Sequence, residues 1–363
     1  ATVASLFRRH QGRVLALTGA GVSVSSGIPD YRGPNGTYRV HGGYVPILHH
    51  ELATQHASRQ RYWARSFFGI RPAFRAEPNA VHRAFARLEA SGHLAGLITQ
   101  NVDGLHTQAG SQRLLELHGT LRRVACLSCS HTEDRDRFQH RLEELNPQWA
   151  LFWQEMARTG KEPARRPDGD VDLPPELRYE DFRYPTCHCC RSGQYMPTVV
   201  FFGGNIADAV RARAIDMVDQ AQALFVCGTS LATFSAFRLV TRAREHGKEV
   251  LVANFGQTRG DQHATTKLEV LAEDLLPPVQ TLVARLQALH TRLASGDAGE
   301  AGDEELLVTL TYYVNQTSFI RRRMTLLQGR VSDLKSRSLR LGEHRAQQSR
   351  QVAEWVHQER QRV

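Results

Sequence analysis

The most constraining feature of this chain is a series of short apolar runs that each end in small or polar residues. Runs of this kind stand at 13–18, 98–101, 197–203, 223–230 and 249–256. Helical patterns lie between several of them, at 79–91, 206–221 and 232–246. Strands that alternate with helices predict an α/β fold, a Rossmann-like doubly wound sheet of mostly parallel strands.

Ligands of such sheets bind at the carboxyl ends of the strands. The first run leads into a glycine-rich turn, Gly19–Ser23, whose backbone N–H groups could hold a pyrophosphate. The turn lacks the third glycine of the dinucleotide fingerprint, and no acidic residue follows at the usual spacing of about 20. By itself this turn predicts a phosphate site and no more.

Other polar residues cluster near the expected strand ends. Gln100, Asn101 and Asp103 lie at the end of the second run, where an amide and a carboxylate can hold a carboxamide and ribose hydroxyls. His118 precedes a glycine and is a candidate general base, because an ordinary histidine titrates near neutrality. A lone histidine of this kind is also compatible with a purely structural role.

Composition excludes several classes of protein. Of the 363 residues 41% are apolar, and no apolar stretch approaches the ~20 residues that cross a bilayer, so we predict no membrane span. Residues 321–363 hold 11 basic against 4 acidic side chains, which is +7 of the formal +9. The rest is nearly neutral, so its charge does not favour nucleic-acid binding. The chain begins without Met, as after removal of an initiator or a transit peptide.

The C-terminal part of the chain has a different pattern. Residues 291–303 are typical of a flexible linker. From 306 to 341, apolar residues recur in steps of four and three, which is typical of a coiled coil or of a long packed helix. We predict one domain over 1–290, a linker over 291–303 and a basic helical tail over 304–363. The segment 306–341 is either a partner or self-association surface or a solvated helix.

Several blocks of the sequence together resemble the sirtuin family. GAGVSVSSGIPDYRG, TQNVDGLH, ELHG, VVFFG, GTS and NFG occur in the family's order and at compatible spacing over residues 1–280. The resemblance implies an enzyme that consumes NAD+, transferring an acyl group from lysine to ADP-ribose with release of nicotinamide. It also implies a Rossmann-like domain with a small zinc-binding module near 122–196.

The resemblance further assigns roles to individual residues. His118 would be the general base, with Asn101 and Asp103 completing the catalytic set. An extended substrate peptide would pair along Val200, Phe201, Phe202 and Gly203. The NAD site would comprise Gly19, Ala20, Gly21, Asp30, Tyr31, Arg32, Gln100, Asn101, Asp103, Gly228, Thr229, Ser230, Asn254 and Ala272.

Close cysteine pairs favour a metal over disulfides. They lie in a segment, 122–196, that interrupts the strand–helix pattern and that we predict to be an irregular insertion. Two C-x-x-C pairs are typical of a closed structural Zn2+ site, one ion per chain. That spacing selects Cys126, Cys129, Cys187 and Cys190 over Cys189 and His188.

The segment RQRYWARSFFG (59–69) resembles the mitochondrial class II lineage of the family, the fourth of the vertebrate set. In class II members a Tyr and an Arg three residues later can meet an acidic acyl chain, and here these would be Tyr62 and Arg65. Since arginine suits bidentate carboxylate binding, we predict a preference for acidic or longer acyl chains over acetyl. The alternative is that both residues lie on a surface helix.

The predicted function is therefore an NAD-dependent protein lysine deacylase, in the mitochondrial matrix if eukaryotic and in the cytoplasm if bacterial. One alternative is a mono-ADP-ribosyltransferase, in which an acceptor side chain or water replaces the acyl oxygen. Another is an NAD-binding scaffold with vestigial catalysis. The chain departs from the family pattern at Gly204 and Asn205, where an acidic residue is common, and at Phe255 and Gln257.

Overall fold

The computed structural model describes residues 2–33, 36–40, 47–129, 131–160, 177–281 and 284. They belong to one compact unit, Thr2–Arg285. The predicted linker (291–303) and tail (304–363), with the pattern over 306–341, lie outside the described residues. Among the residues described, no helix is both long and apolar enough to cross a membrane.

The strands form two sheets. The larger is six-stranded and parallel throughout, in the order β3-β2-β1-β7-β8-β9, and the smaller is antiparallel, in the order β5-β4-β6. In chain order the strands are β1 (Val14–Thr18), β2 (Leu94–Thr99), β3 (Leu114–Glu116), β4 (Arg123–Cys126), β5 (Thr132–Asp134), β6 (Tyr195–Pro197), β7 (Ala223–Cys227), β8 (Glu249–Ala253) and β9 (Thr266–Leu268).

Helices cover the strands and link them. The α-helices are α1 (Thr2–His10), α2 (Thr37–Val40), α3 (His49–Thr54), α4 (His56–Arg75), α5 (Ala80–Ala90), α6 (Leu105–Gln108), α7 (Arg135–Leu145), α8 (Pro147–Thr159), α9 (Asp208–Gln220), α10 (Phe234–Glu245) and α11 (272–281). The helices predicted at 79–91, 206–221 and 232–246 correspond to α5, α9 and α10.

The large sheet separates two apolar cores, because successive side chains of a strand point to opposite faces. Val14 and Ala16 of β1 pack in one core with residues of α1, α5 and α11. Leu15 and Leu17 pack in the other core with residues of α9 and α10. The predicted doubly wound arrangement, with helices on both faces of a parallel sheet, is confirmed.

The strand order fixes where a ligand can bind. From β1 the chain builds outward through β2 and β3, and it later returns to the other side of β1 as β7, β8 and β9. Such a reversal leaves a crevice at the carboxyl ends of the two strands beside it. Here the crevice lies after Thr18 of β1 and Cys227 of β7, where the turns beginning at Gly19 and Gly228 meet.

The segment predicted to be irregular, 122–196, is instead partly regular. It contains the small antiparallel sheet together with α7 and α8, and its core is rich in aromatic side chains that pack against α4. Its strands have only three or four residues, so they carried no recognisable alternation. We call this region the small module.

The strand predicted over 197–203 is also wrong in part. β6 ends at Pro197, and the apolar residues after it form no ladder; Phe202 makes a single bridge to Leu48. The backbone N–H of Val200 donates to the carbonyl oxygen of His118 at 2.8 Å. Strand propensity is therefore overridden by contacts that attach this segment to the crevice at separate points.

Candidate active site

A cavity of about 990 Å³ occupies the crevice at the carboxyl ends of the parallel strands. Among the predicted site residues other than the cysteines, only Ala272 and Arg65 do not line it. Those that do are Gly19, Ala20, Gly21, Asp30, Tyr31, Arg32, Tyr62, Gln100, Asn101, Asp103, His118, Val200, Phe201, Phe202, Gly203, Gly228, Thr229, Ser230 and Asn254. Ala272 is buried at the start of α11 beneath the sheet.

Glycines allow the two turns of the crevice to touch. The N–H of Gly21 donates to the carbonyl oxygen of Gly228 at 2.9 Å. A Cβ atom on Gly21 would lie 2.8 Å from that oxygen, and one on Gly19 would lie 2.6 Å from Cβ of Thr229. Gly228 has φ of +61°, which L side chains rarely adopt. Glycine is thus required here by close backbone approach as well as by conformation.

Gln100 links three strand ends. Its side-chain amide donates to the Thr18 carbonyl at 3.1 Å and to Oγ1 of Thr229 at 2.9 Å. Its side-chain oxygen accepts a hydrogen bond from Thr233 at 3.0 Å. These bonds hold Gln100 between the turns that follow β1 and β7.

Asn101 and Asp103 meet at Ser23. Nδ2 of Asn101 donates to Oγ of Ser23 at 3.1 Å, and that hydroxyl donates to Oδ2 of Asp103 at 2.8 Å. The backbone N–H of Leu105 donates to the other carboxylate oxygen at 2.9 Å. Burial raises the pKa of Asp103, although these hydrogen bonds and Arg122 oppose the rise. The two side chains that the sequence predicted to act together are therefore held by one network.

A buried histidine that the sequence analysis missed supports this network. Nε2 of His82 lies 3.3 Å from Oγ of Ser23, and because the single proton of that hydroxyl goes to Asp103, Nε2 carries the proton of the neutral ring. Nδ1 then accepts from the N–H of Asn79 at 3.2 Å and lies 3.0 Å from the side-chain oxygen of the same residue. Burial, with Arg83 adding to it, lowers the pKa of His82 to about 4. A neutral His82 thus donates toward Ser23, which in turn donates to Asp103.

His118 lies at the cavity wall with both ring nitrogens engaged. Nδ1 is 3.1 Å from the carbonyl oxygen of Gln100, and since a carbonyl only accepts, Nδ1 carries the proton. Nε2 of the neutral ring then accepts from the hydroxyl of Ser235 at 2.8 Å. Burial lowers the pKa of His118, against the opposing effect of the Gln100 carbonyl. The available lone pair is therefore on Nε2.

Ser235 was not predicted from the sequence. It lies in the first turn of α10, where serine is common for reasons of local backbone capping alone. No spacing links it to His118, which is 117 residues away. Only the tertiary structure brings the two together.

The two acyl-contact candidates occupy different positions. Both lie on α4, as the alternative reading allowed, but the helix is not a surface helix there: Tyr62 is 9% exposed and Arg65 is 6% exposed. Tyr62 lines the cavity and packs edge-on against Phe201, with ring centroids 5.4 Å apart. Arg65 is buried beside the cavity without being part of its wall.

The candidate peptide segment, Val200 to Gly203, lies at the opening of the cavity. The carbonyl of Phe202 accepts a hydrogen bond from the N–H of His49 at 2.9 Å, and its ring is 46% exposed. Two more phenylalanines of the wall, Phe234 and Phe255, are 65% and 56% exposed. An apolar rim therefore surrounds the opening.

The four predicted metal ligands come together in the small module. Sγ of Cys126 is 3.7 Å from Sγ of Cys190, and Sγ of Cys129 is 3.8 Å from Sγ of Cys187. A tetrahedron with Zn–S bonds of about 2.3 Å has edges of about 3.8 Å, so this donor set fits zinc. Cys189 is exposed and outside the group, as the spacing predicted.

A second cluster, His131, Glu133 and His188, lies beside the cysteines. Nη1 of Arg141 is 2.7 Å from Oε2 of Glu133 and 3.4 Å from Nδ1 of His188. Because the guanidinium already supplies the positive charge, a metal ion there would have to displace Arg141. This cluster does not fit a second metal site.

The parallel sheet with its crevice, joined to a four-cysteine module, defines an α/β protein of the dinucleotide-binding type with a structural metal. The model of the Sir2 family matches residues 19–235. The chain therefore belongs to the Sir2 family, the sirtuins.

Curated relatives extend the match to most of the domain. The chain is 43% identical over 281 residues to the NAD-dependent protein deacylase SIR4 of Batrachochytrium dendrobatidis, covering 76% of this chain and 91% of that protein. It is 40% identical to the bovine mitochondrial NAD-dependent protein lipoamidase sirtuin-4 (73% and 81% covered). A Pseudomonas syringae NAD-dependent protein deacetylase is 45% identical (72% and 89% covered).

Solved structures agree with the fold. A Sir2 homologue variant in complex with ADP-ribose superposes with a TM-score of 0.58 at 28% identity, covering 78% of this chain and 98% of that chain. A Sir2 variant with deacetylated p53 peptide and 3′-O-acetyl ADP-ribose gives a TM-score of 0.59 at 27% identity, covering 77% and 96%.

Proposed function

We propose that this chain is an NAD-dependent protein deacylase that removes acyl groups from lysine side chains. The observation that carries the proposal is His118, whose Nε2 lone pair lies on the wall of a crevice shared with Gln100, Asn101 and Asp103. The names of its relatives, deacylases and deacetylases from fungi, bacteria and cattle, support the same activity.

The cavity fits a dinucleotide. Its volume lies at the upper end of the range for small-molecule sites. The glycine turns expose backbone at the switch point, and the neighbouring lining residues offer polar groups at both ends of the crevice. We assign NAD+ to Gly19, Ala20, Gly21, Asp30, Tyr31, Arg32, Gln100, Asn101, Asp103, Gly228, Thr229, Ser230 and Asn254, with Ala272 beneath the adenine end.

When bound, NAD+ supplies a ribose carbon that loses nicotinamide and accepts the acyl oxygen. Asn101 and Asp103 would orient that ribose, because the network through Ser23 leaves them little rotational freedom. His118 would take a proton from a ribose hydroxyl at Nε2, and its lowered pKa keeps it neutral for this task. The hydroxyl of Ser235 must give way when the ribose hydroxyl arrives.

Zinc has a structural role in this proposal. The four cysteine thiolates would supply all the ligands of a structural zinc ion and would leave no position for substrate. Cys126, Cys129, Cys187 and Cys190 would instead hold β4 and β6 of the small module together.

The acyl preference is the finer part of the proposal. Tyr62 lines the cavity next to Phe201, and Arg65 lies one turn further along α4. We propose that both contribute to a pocket for acidic or longer acyl chains. The bovine relative is named a lipoamidase, which also favours a chain longer than acetyl.

The remaining assignments follow from the deacylase reading. Acylated protein lysines would be the substrate, with the backbone of residues 200–203 pairing with the substrate chain. The compartment would be the mitochondrial matrix in a eukaryote and the cytoplasm in a bacterium; the bovine relative is named as mitochondrial. We propose residues 1–290 as the catalytic domain, so a chain ending before 304 should retain turnover.

The test is nicotinamide release from NAD+ with lysine peptides that carry acetyl, succinyl, glutaryl, methylglutaryl or lipoyl groups. Mass spectrometry identifies the deacylated peptide and the acyl-ADP-ribose. His118→Tyr should reduce turnover by about 10²- to 10⁴-fold, the usual effect of losing a general base. His140→Tyr, on the exposed face of α7, is the matched control and should behave as wild type.

Arg65→Met separates the acyl preference from the activity. If Arg65→Met loses turnover only of the peptides with acidic acyl groups, the preference is supported. Equal turnover rates on all peptides contradict it. Cleavage of NAD+ with ADP-ribose attached to protein, and no deacylated peptide, would establish the ADP-ribosyltransferase alternative. Nicotinamide release no faster than that of His118→Tyr for every peptide would favour the scaffold.

A further inference from the structure

The cavity wall carries more positive than negative charge. Its acidic residues are Asp30 and Asp103, and each carboxylate accepts a backbone hydrogen bond from its own loop, at Gly33 and Leu105. Its basic residues include four arginines: Arg32, Arg39, Arg211 and Arg238. Arg32 belongs to the loop assigned to NAD+, and it stacks over Tyr38. Arg211 and Arg238 come from a different part of the wall.

These two cavity-lining arginines come from adjacent helices. Arg211 lies in the first turn of α9 and Arg238 in the second turn of α10, and the two helices pack together. Burial and the nearby charge of Arg211 lower the pKa of Arg238. Two guanidinium groups on the same cavity wall repel each other, and an anion bound by both would offset that repulsion.

Arg238 has no partner for its charge in the described part of the chain. Its Nε is buried without a hydrogen-bond acceptor, and no described carboxylate pairs with it. Arg211 pairs with Asp208, whose side chain is 88% exposed and so screens little of the charge. A buried N–H donor without an acceptor is destabilising unless a ligand or water supplies one.

The pair lies beside the segment proposed to hold the substrate. Arg238 follows Ser235 by three residues, so both lie on one face of α10, and Ser235 touches His118. Gly204, Asn205 and Ile206, which follow Gly203 in the chain, also line the cavity, and none of them is acidic. A substrate residue placed along residues 200–203 would therefore meet no acidic side chain from this segment of the wall.

We propose that Arg211 and Arg238 form a subsite for the carboxylate of an Asp or Glu side chain that flanks the acylated lysine of the substrate. The proposal rests on the deacylase function above and names its substrate class as acidic segments. Guanidinium groups bind carboxylates through paired, charge-assisted hydrogen bonds, and burial strengthens such contacts.

The distal carboxylate of an acidic acyl chain could bind the same two arginines as the carboxylate of a flanking Asp or Glu. The position of the pair favours the side chain, because Arg211 is 44% exposed and lies near the opening, whereas Tyr62 lies on buried α4. An acyl group must enter the cavity to reach the ribose. A flanking residue of the substrate stays at the opening with the peptide backbone.

The experiment measures the Kd of fluorescein-labelled peptides by fluorescence anisotropy, in the presence of ADP-ribose. Each peptide carries the acyl-lysine that wild type deacylates fastest, or acetyl-lysine if wild type deacylates none. Glu or Gln is placed at one position at a time, up to three residues before or after that lysine. Wild type should bind at least one Glu peptide about tenfold more tightly than its Gln counterpart. The preference should shrink at high salt.

Arg238→Gln should abolish this preference and leave the Kd of the Gln peptide within about twofold. Arg211→Gln should have a smaller effect because Asp208 already engages it. Arg213→Gln is the matched control: it lies on the same helix, is exposed and pairs with Asp216 at 3.0 Å, so it should keep the preference.

Three outcomes would overturn the subsite. Wild type could bind Glu and Gln peptides equally, or Arg238→Gln could weaken both equally. Alternatively, Arg238→Gln could weaken only a glutaryl-lysine peptide without acidic residues, which would assign the pair to the acyl chain. Because binding does not require turnover, a peptide preference without deacylation would overturn the proposed function and leave the subsite standing.

Discussion

The parallel sheet and the small module present their functional residues in opposite ways. In the sheet, site residues follow strands that are themselves buried, so the core sets their positions before any ligand arrives. In the small module the strands have three or four residues, and four cysteines lie next to an aromatic core. Such short strands are stable only with additional support, here from zinc and from α4.

The two regions are expected to depend on each other. We expect the sheet to form without the metal, and the segment at one edge of its active site to require it. β6 continues into the segment whose Val200 N–H anchors the carbonyl of His118 at 2.8 Å. His118, the proposed general base, is thus linked to the small module, and the variants below test that link.

Loss of zinc should have the largest effect. Replacing Cys126 by Ser leaves three thiolates, and structural zinc in small peptides contributes about 10 kcal/mol or more of apparent folding free energy. We expect the metal content to fall from one ion per chain to nearly none, and deacylation to be lost. Atomic absorption and a thermal unfolding curve measure both.

Cys189→Ser is the control for that variant, because Cys189 is exposed and outside the cluster. It should keep the zinc and the activity. Cys126→Ser that loses zinc yet turns over at the wild-type rate would contradict the tie between the small module and His118.

A change in the sheet region should be smaller and local. Gly228 and Gly247 have similar backbone conformations, with φ of +61° and +68°. A Cβ on Gly228 would lie 2.8 Å from Val22, whereas one on Gly247 would meet nothing within 4 Å. Both alanine variants carry a conformational cost of about 1–2 kcal/mol, and Gly228→Ala adds about 1–3 kcal/mol of overpacking.

Only Gly228→Ala should also raise the KM for NAD+, since it alone displaces the turn after β1. Urea unfolding gives the free energies, and nicotinamide release gives the KM. Equal effects of the two variants on both quantities would show that close packing of the turns does not shape the cofactor site.

The sequence predicted the sheet well because buried strands and small residues at their ends leave local signals. β1, β7 and β8 lie within predicted runs, and the Gly19 and Gly228 turns meet as expected at the strand ends. The cysteine pairs were equally readable, since C-x-x-C spacing alone brings two thiolates to one ion.

Other parts could not be read from the sequence because they depend on contacts between distant residues. The run over 197–203 has the composition of a strand, yet its neighbours engage it only at single points. His82 and Ser235 carry no spacing signal, since each acts on a residue far along the chain. Arg65 occupies a plausible position in the sequence but is not in the wall of the cavity.

Acid should destabilise the sheet region through His82. The pKa of His82 is about 4 in the folded chain, and the ordinary pKa of histidine is 6.5. Between pH 6.5 and 4 the unfolded chain therefore binds a proton at His82 that the folded chain does not bind. Unfolding free energy therefore falls as the pH drops from 6.5 toward 4, and this residue accounts for about 2 kcal/mol between pH 7.5 and 5. Urea titrations at both values measure it.

His82→Gln should be less stable at pH 7.5 and lose less on acidification, because glutamine does not titrate. The exposed His50→Gln variant is the control and should keep the wild-type slope. An unchanged slope in His82→Gln would show that the acid sensitivity of the chain arises elsewhere, for example in the small module.

The smallest effect concerns Ser235, which touches His118 from α10. Its hydroxyl donates to the Nε2 lone pair and so stabilises the neutral ring. Ser235→Ala should raise the pKa of His118, because the neutral ring loses one hydrogen bond. Since the proposed base must be neutral, the acid limb of kcat/KM should move to higher pH.

Ser235→Thr keeps the hydroxyl and should restore the wild-type profile, whereas Thr241→Ala, elsewhere on α10, should not alter it. A profile that stays in place while kcat falls would mean that Ser235 only packs against the ring. A shift in the profile would show that Ser235 of α10, a helix of the sheet region, alters the pKa of the His118 ring. The backbone carbonyl of His118 is held by the segment that follows β6 of the small module. His118 would then depend on both regions, through its ring on one side and its backbone on the other.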